Sequence, residues 1–131
     1  MNTFKLFKAF SLASAVTISL FSMNLMNQKS ASAVDVTPNG WCIHSGSYIV
    51  FGNFDGKGGR DALCADDQGS KWINYANGKR WYTKTSWCTH PGSRIKAIRL
   101  NNDNRYDLEC QNRDGSVVQR REALPNGRFN F

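Results

Sequence analysis

A span bounded by cysteines occurs twice in this chain: Cys42 to Cys64, CIHSGSYIVFGNFDGKGGRDALC, and Cys88 to Cys110, CTHPGSRIKAIRLNNDNRYDLEC. The offset, 88 − 42 = 46 residues, is kept by Trp41 and Trp87, His44 and His90, Gly46 and Gly92, Ser47 and Ser93, Ile49 and Ile95, Asp61 and Asp107, and Gly69-Ser70 and Gly115-Ser116. A fixed period of this size marks a duplicated supersecondary unit. Two tandem units are expected, residues 41–86 and 87–131. Four cysteines allow three pairings. The duplication favours Cys42–Cys64 and Cys88–Cys110, since an ancestral single unit would have carried its own bridge. Each such loop contributes roughly 3 kcal/mol in the chain-entropy account. The competing reading is zinc held by Cys42/His44 and Cys88/His90, which lacks the Cys-x₂-Cys spacing of common zinc modules.

Upstream, Lys5 and Lys8 precede an apolar stretch from Ala9 to Met26, and Ala31-Ser32-Ala33 has the small-x-small form of a cleavage site. That is the layout of a secretion signal over residues 1–33. A membrane anchor is the alternative, since the stretch could nearly span a bilayer, but serines interrupt it. A secreted or extracellular location agrees with four cysteines, because disulfides persist in oxidising compartments. The remaining domain, residues 34–131, has 131 − 33 = 98 residues. A domain of that size buries only about 60–65% of its unfolded surface, so covalent bridges matter to it. The formal charge of +7 includes Lys5, Lys8 and Lys29; without them 14 Lys and Arg against 10 Asp and Glu leave +4. Arg94, Lys96, Arg99, Arg105, Arg113, Arg120, Arg121 and Arg128 place most of the positive charge in the second half. Such a face suits anionic partners such as nucleic acid, acidic glycans or envelope polymers, or is simply a solvated surface.

The pattern predicts an all-β fold of about four strands per unit. Ser47–Phe51, Ala62–Ala65, Lys71–Ala76 and Lys79–Thr85 read as strands from their β-branched and aromatic content, separated by the glycine-rich Gly52–Arg60, the turn Asp66–Ser70 and the hairpin signal Asn77-Gly78. In the second unit Ser93–Leu100, Asp107–Gln111, Val117–Arg121 and Arg128–Phe131 follow the same course, with Asn126-Gly127 as the last hairpin turn. Glu122-Ala123-Leu124 is too short for a helix and is stopped by Pro125.

Trp72, Tyr75, Trp81 and Tyr82 crowd one hairpin. They are read as core filling beside the cystines, or as an aromatic platform on which sugars or bases stack. The duplicated His44 and His90 are read as structural. No Gly-x-Ser-x-Gly or His-Glu-x-x-His motif is present, and Glu109 and Glu122 are the only glutamates. The catalytic alternative is a small basic nuclease using His44 or His90 as base and Arg99 or Arg105 as phosphate clamp. A small toxin or inhibitor acting by loop insertion is a further alternative.

Asn53-x-Asp55-x-Lys57-x-Gly59-x-Asp61 sets oxygen-bearing side chains at alternate positions of a glycine-rich loop, the pattern by which such loops converge on calcium. The second loop offers Asn101, Asp103 and Asp107. The alternative puts cations in place of the ion, Lys57 tying Asp55 to Asp61 and Arg99 bridging Asp103 and Asp107.

IVFGNFDGKGGRDALC resembles the FG-GAP/VCBS-type repeat, in which a short strand is followed by G-D-F-N-G-D-G-x-x-D-L. The Cys-x-His-x-Gly lead-in and K-W-I-N-Y-A-N are similar to its cysteine-bearing secreted variants. The likeness covers Trp41 to about Thr85 well and Trp87 to Phe131 more weakly. It implies two tandem four-stranded, propeller-blade-like units stapled by disulfides, and a calcium site from Asn53, Asp55, Gly59 (through its carbonyl) and Asp61. It also implies a non-catalytic role in extracellular adhesion or binding, with a glycan, an anionic polymer or a protein as partner. Two units cannot close a propeller ring, so a compact two-unit β domain or a homo-oligomer is expected.

Overall fold

The structure, a computed structural model, describes residues 34–131; the expected secretion signal over residues 1–33 lies outside the described residues. The described residues form seven strands and no helix: β1 (Tyr48–Gly52), β2 (Asp61–Ala65), β3 (Ser70–Asn74), β4 (Arg80–Lys84), β5 (Arg94–Ile98), β6 (Asp107–Gln111) and β7 (Val117–Arg121). Among these residues no helix is long and apolar enough to cross a membrane. Two antiparallel sheets result, a four-stranded β1-β2-β3-β4 and a three-stranded β5-β6-β7, each in chain order. Both bridges form within their own unit, Cys42–Cys64 and Cys88–Cys110, with Cα atoms 5.6 and 5.5 Å apart. Bridged thiols of this kind belong to an oxidising environment.

Local chemistry explains the strand ends. In unit one the Asp66 carboxylate accepts the N–H groups of Gln68 and Ser70, closing the turn between β2 and β3. Gly69 sits at φ +94°, and a Cβ there would stand 2.3 Å from the Thr85 carbonyl oxygen. The half-cystines Cys42 and Cys88 both adopt left-handed backbone, φ 60° and 58°. In each unit the serine five residues on donates its hydroxyl to that cysteine's carbonyl, Ser47 to Cys42 at 3.0 Å and Ser93 to Cys88 at 3.1 Å. Cys42 and Cys88 thus share the same unusual conformation and the same serine tether.

Alternation then sorts the side chains of the first sheet. One face carries the row Val50, Leu63, Ile73 and Trp81; the other carries Ile49, Cys64, Trp72 and Tyr82. The first face packs on the second unit, whose Trp87, Ile95, Leu108 and Phe129 complete the buried core. Phe54 meets Phe129 edge-on at 5.7 Å, and Trp81 stacks on Phe131 at 6.0 Å. The sheets also meet along β1 and β5, where the Tyr48 hydroxyl accepts the Ile95 N–H at 3.0 Å. On the second sheet the opposite row is Lys96, Glu109 and Arg120, with Arg120 donating to Glu109 at 2.8 Å.

The second sheet has three strands, not four. Arg128–Phe131 makes only an isolated bridge, Ala123 to Phe129. The reason lies in the chain between the last turns. A bulge at Cys110/Gln111 sets Cys110 opposite Gln119, where Cys64 faces Trp72, so the offset becomes 119 − 72 = 47. The closing turn comes later still: Leu124 and Arg128 pair as Tyr75 and Lys79 do, an offset of 124 − 75 = 49. Pro125, which has no N–H, lies in that turn. The other strands fall within a residue or two of their expected ends.

Candidate functional site

The expected metal loops are built around two carboxylates. Asp61 opens β2, and its Oδ2 accepts the N–H groups of Phe54 (2.7 Å) and Asp55 (3.4 Å), while its Oδ1 accepts that of Ala76 (2.9 Å). Asp107 does the same in the second unit, accepting from Leu100 and Ala123, both at 2.9 Å. These buried acids pin each loop to the following hairpin. Burial pushes the Asp61 carboxyl above its ordinary range despite the amides that favour its charge.

Asp55 takes the Lys57 amide at 3.1 Å and the Asn77 side-chain amide at 3.1 Å, and Asn53 donates to the Asn104 carbonyl at 3.3 Å. Gly59, at φ +143°, lies so close to Ala76 that a Cβ would meet that methyl at 2.6 Å. Asn101 accepts the Asp103 amide at 3.1 Å, and Asp103 pairs with Arg105. Neither expected cation bridge forms. Lys57 is exposed, and the Arg99 guanidinium lies 4.9 Å above the Tyr106 ring. A calcium ion needs six to eight oxygens turned toward one point. Here N–H donors occupy the carboxylates, and among the described residues no group of three His, Cys, Asp or Glu is placed to hold a metal.

The histidines act beside the cystines. His44 Nε2 meets Asp66 at 3.0 Å and His90 Nε2 meets Asn112 at 2.7 Å, the same contact one repeat apart. Although burial opposes its charge, the Ser70 amide and His44 hold the Asp66 carboxyl below its ordinary value. Arg99 follows the far end of β5 from His90, about 16 Å along a five-residue strand. Among the described residues the side-chain partners of His44 and His90 are Asp66 and Asn112, and neither Arg99 nor Arg105 is among them.

The four platform aromatics divide. Tyr75 turns inward and donates its hydroxyl to the Gly127 carbonyl at 3.0 Å; burial pushes its pKa up to about 12. Trp81 stacks on Phe131. Trp72 and Tyr82 remain on the outer face, paired at 5.0 Å, and His44 meets the Trp72 edge at 5.5 Å. With Trp41, Asn74 and Arg80 they line an open groove of about 460 Å³. Trp41 and His44 were visible in the sequence only as repeated positions; the disulfide carries them to this face.

A second pocket, of about 450 Å³, includes Ser86, Trp87, Cys88 and His90, the positions 46 residues after Gly40, Trp41, Cys42 and His44 of the first. Its other walls include Gln119, Arg121 and Phe131. By the shifted registers these answer to Trp72, Asn74 and Tyr82, since 121 − 74 = 47 and 131 − 82 = 49. The two pockets are one design used twice. In the second unit that face packs on the first sheet; in the first unit it is open.

Sequence reasoning also missed Lys71. It is fully buried, its Nζ has no hydrogen-bond partner, and burial pulls its pKa down to about 8. The available signal was its phase: Lys71 alternates with the inward Ile73 on β3 and with Tyr75 just beyond it. No protein-family model, curated protein or solved structure matches the chain.

Proposed function

We propose that the protein is a secreted, non-catalytic binding module that takes a ring-bearing extracellular ligand, a glycan in the first instance, on the outer face of β3 and β4. The observation that carries this reading is the solvent-facing Trp72–Tyr82 pair, walled by Trp41 and His44 and rimmed by Asn74 and Arg80. Aromatic faces stack against the apolar side of a sugar ring, while side chains at the rim meet its hydroxyls. Blade-like FG-GAP kinship accords with the four-stranded meander and suggests the same extracellular role. A glycan array followed by calorimetric titration tests it. Trp72→Ala should weaken binding at least tenfold with the melting temperature little changed; unaltered affinity in a folded Trp72→Ala variant overturns the reading.

A second reading is favoured by the repeat correspondence. The open face is the counterpart of one that packs on a sheet in the second unit, so a second copy can cover it. The opposite end of the molecule carries Lys96, Glu109 and Arg120, which do not complement an aromatic face. The pairing would therefore be two-fold, aromatic face on aromatic face. Sedimentation equilibrium separates the two readings: a concentration-dependent dimer lost in Trp72→Glu supports the second, and a monomer at all concentrations rejects it.

A further inference from the structure

Among the described residues four buried side-chain polar atoms lack a hydrogen-bond partner, and three of them are N–H donors in one neighbourhood: Lys71 Nζ, Trp87 Nε1 and Arg121 Nε. They gather around two rings. Trp87 and Phe131 lie 5.1 Å apart, the Arg121 guanidinium carbon is 5.6 Å from the Trp87 ring, and the Lys71 ammonium is 5.6 Å from the Phe131 ring. Trp87, Arg121 and Phe131 wall the second pocket, and no Asp or Glu lines it. Lys71 is not in the wall; it stands against the Phe131 ring, which is.

Buried donors are almost always satisfied in folded proteins, so three unsatisfied ones together point to a group that supplies acceptors. A fully buried ammonium with no carboxylate at ion-pair distance gains most from an acceptor that also carries negative charge. Lys71 still carries its proton at neutral pH, since its pKa of about 8 lies above it. The comparison with the twin pocket sharpens the point. Where the first unit has Trp72 and Asn74, the second has Gln119 and Arg121, so one outer aromatic is lost and the cation moves from the rim, Arg80, onto the strand that faces Trp87.

We infer that the second pocket is a binding site for an oxyanion group, a carboxylate or phosphate borne by a ligand, with Trp87 Nε1 and Arg121 Nε as direct donors and Lys71 as the charge behind Phe131. This inference is independent of the ligand proposed for the aromatic face.

The test uses the oxidised chain, titrated with inorganic phosphate or with glucuronate, against sodium chloride at matched ionic strength. The readouts are the indole N–H resonances of Trp87 and Trp72 and the Nε–H resonance of Arg121. Phosphate, glucuronate or both should move Trp87 and Arg121 and leave Trp72 in place. A response to phosphate alone assigns a phosphate-type ligand, to glucuronate alone a carboxylate, and to both a general oxyanion site. Arg121→Gln should weaken the response at least tenfold, and Trp72→Ala should not. In thermal melts the anion should raise the wild-type midpoint, as any ligand of the folded state does. Lys71→Met should fold and lose that rise. Equal responses to chloride, no movement of Trp87, or an undiminished response in Arg121→Gln overturns the inference.

Discussion

At the residue scale the molecule turns on a few buried charges. Lys71 sits in a strand position that its neighbours fill with Ile73 and Tyr75, and its depressed pKa measures what that burial costs. The unfolded chain holds this proton up to pH 10.5 and the folded chain only to about 8. Between these values the unfolded state binds more protons, so stability rises with pH, by at most roughly 3 kcal/mol from this group. Guanidinium unfolding at pH 7.5 and pH 9.5 should show the rise in wild type and its loss in Lys71→Met. That variant should also be more stable at pH 7.5, by about 1–3 kcal/mol, because a buried ammonium with no hydrogen-bond partner is gone, although Asp66 partly offsets its charge. Asp61→Ala should act the other way. It leaves the amides of Phe54, Asp55 and Ala76 without their acceptor, a loss of about 2–4 kcal/mol readable as a lower denaturation midpoint. The sequence marked Asp61 and Asp107 as special through their repetition, and in the structure both accept backbone N–H groups. Spacing alone does not tell a carboxylate that faces a cation from one that faces N–H groups.

At the element scale turn chemistry was the most legible feature. Asn77-Gly78 and Asn126-Gly127 both close the hairpins they announce, and six of the ten positive-φ glycines recur at corresponding turns or lead-ins: Gly46 and Gly92, Gly69 and Gly115, and Gly78 with Gly127 in the shifted frame. What surrounds each glycine was not legible. Gly115 (φ +84°) faces open space, so Gly115→Ala should cost only the backbone strain, about 1–2 kcal/mol. At Gly127 (φ +79°) a Cβ would stand 2.7 Å from the Tyr75 ring and 2.9 Å from the Asp55 Cβ. Gly127→Ala should therefore cost clearly more, about 3 kcal/mol or above, and shift the Tyr75 environment in near-ultraviolet dichroism. The missing eighth strand has the same kind of origin. A bulge and a late turn are small insertions that leave every local propensity intact while moving Phe129 and Phe131 out of a ladder and onto the first sheet.

At the scale of the whole molecule two small sheets share one core, and the bridges secure both. Each closes a loop with a sequence separation of 22 residues, worth roughly 3 kcal/mol against a typical domain stability of about 5–15 kcal/mol. Reduction with dithiothreitol at 37 °C should abolish the cooperative melt, and Cys42→Ala/Cys64→Ala alone should lower the midpoint by several degrees. Millimolar calcium should leave the melt of the oxidised chain unchanged; a marked rise would place an ion in the Asn53–Asp61 loop after all. By itself the sequence determined the all-β class, the cystine pairing and the turns. These follow from period-two alternation, turn residues and a kept offset, all written along the chain. Only the tertiary structure decided which aromatics meet solvent and which the core. Trp72 and Trp81 belong to the same hairpin and the same residue type. Their fates differ because one sheet face is covered by the other unit and its counterpart is not, and that depends on packing between segments far apart in sequence.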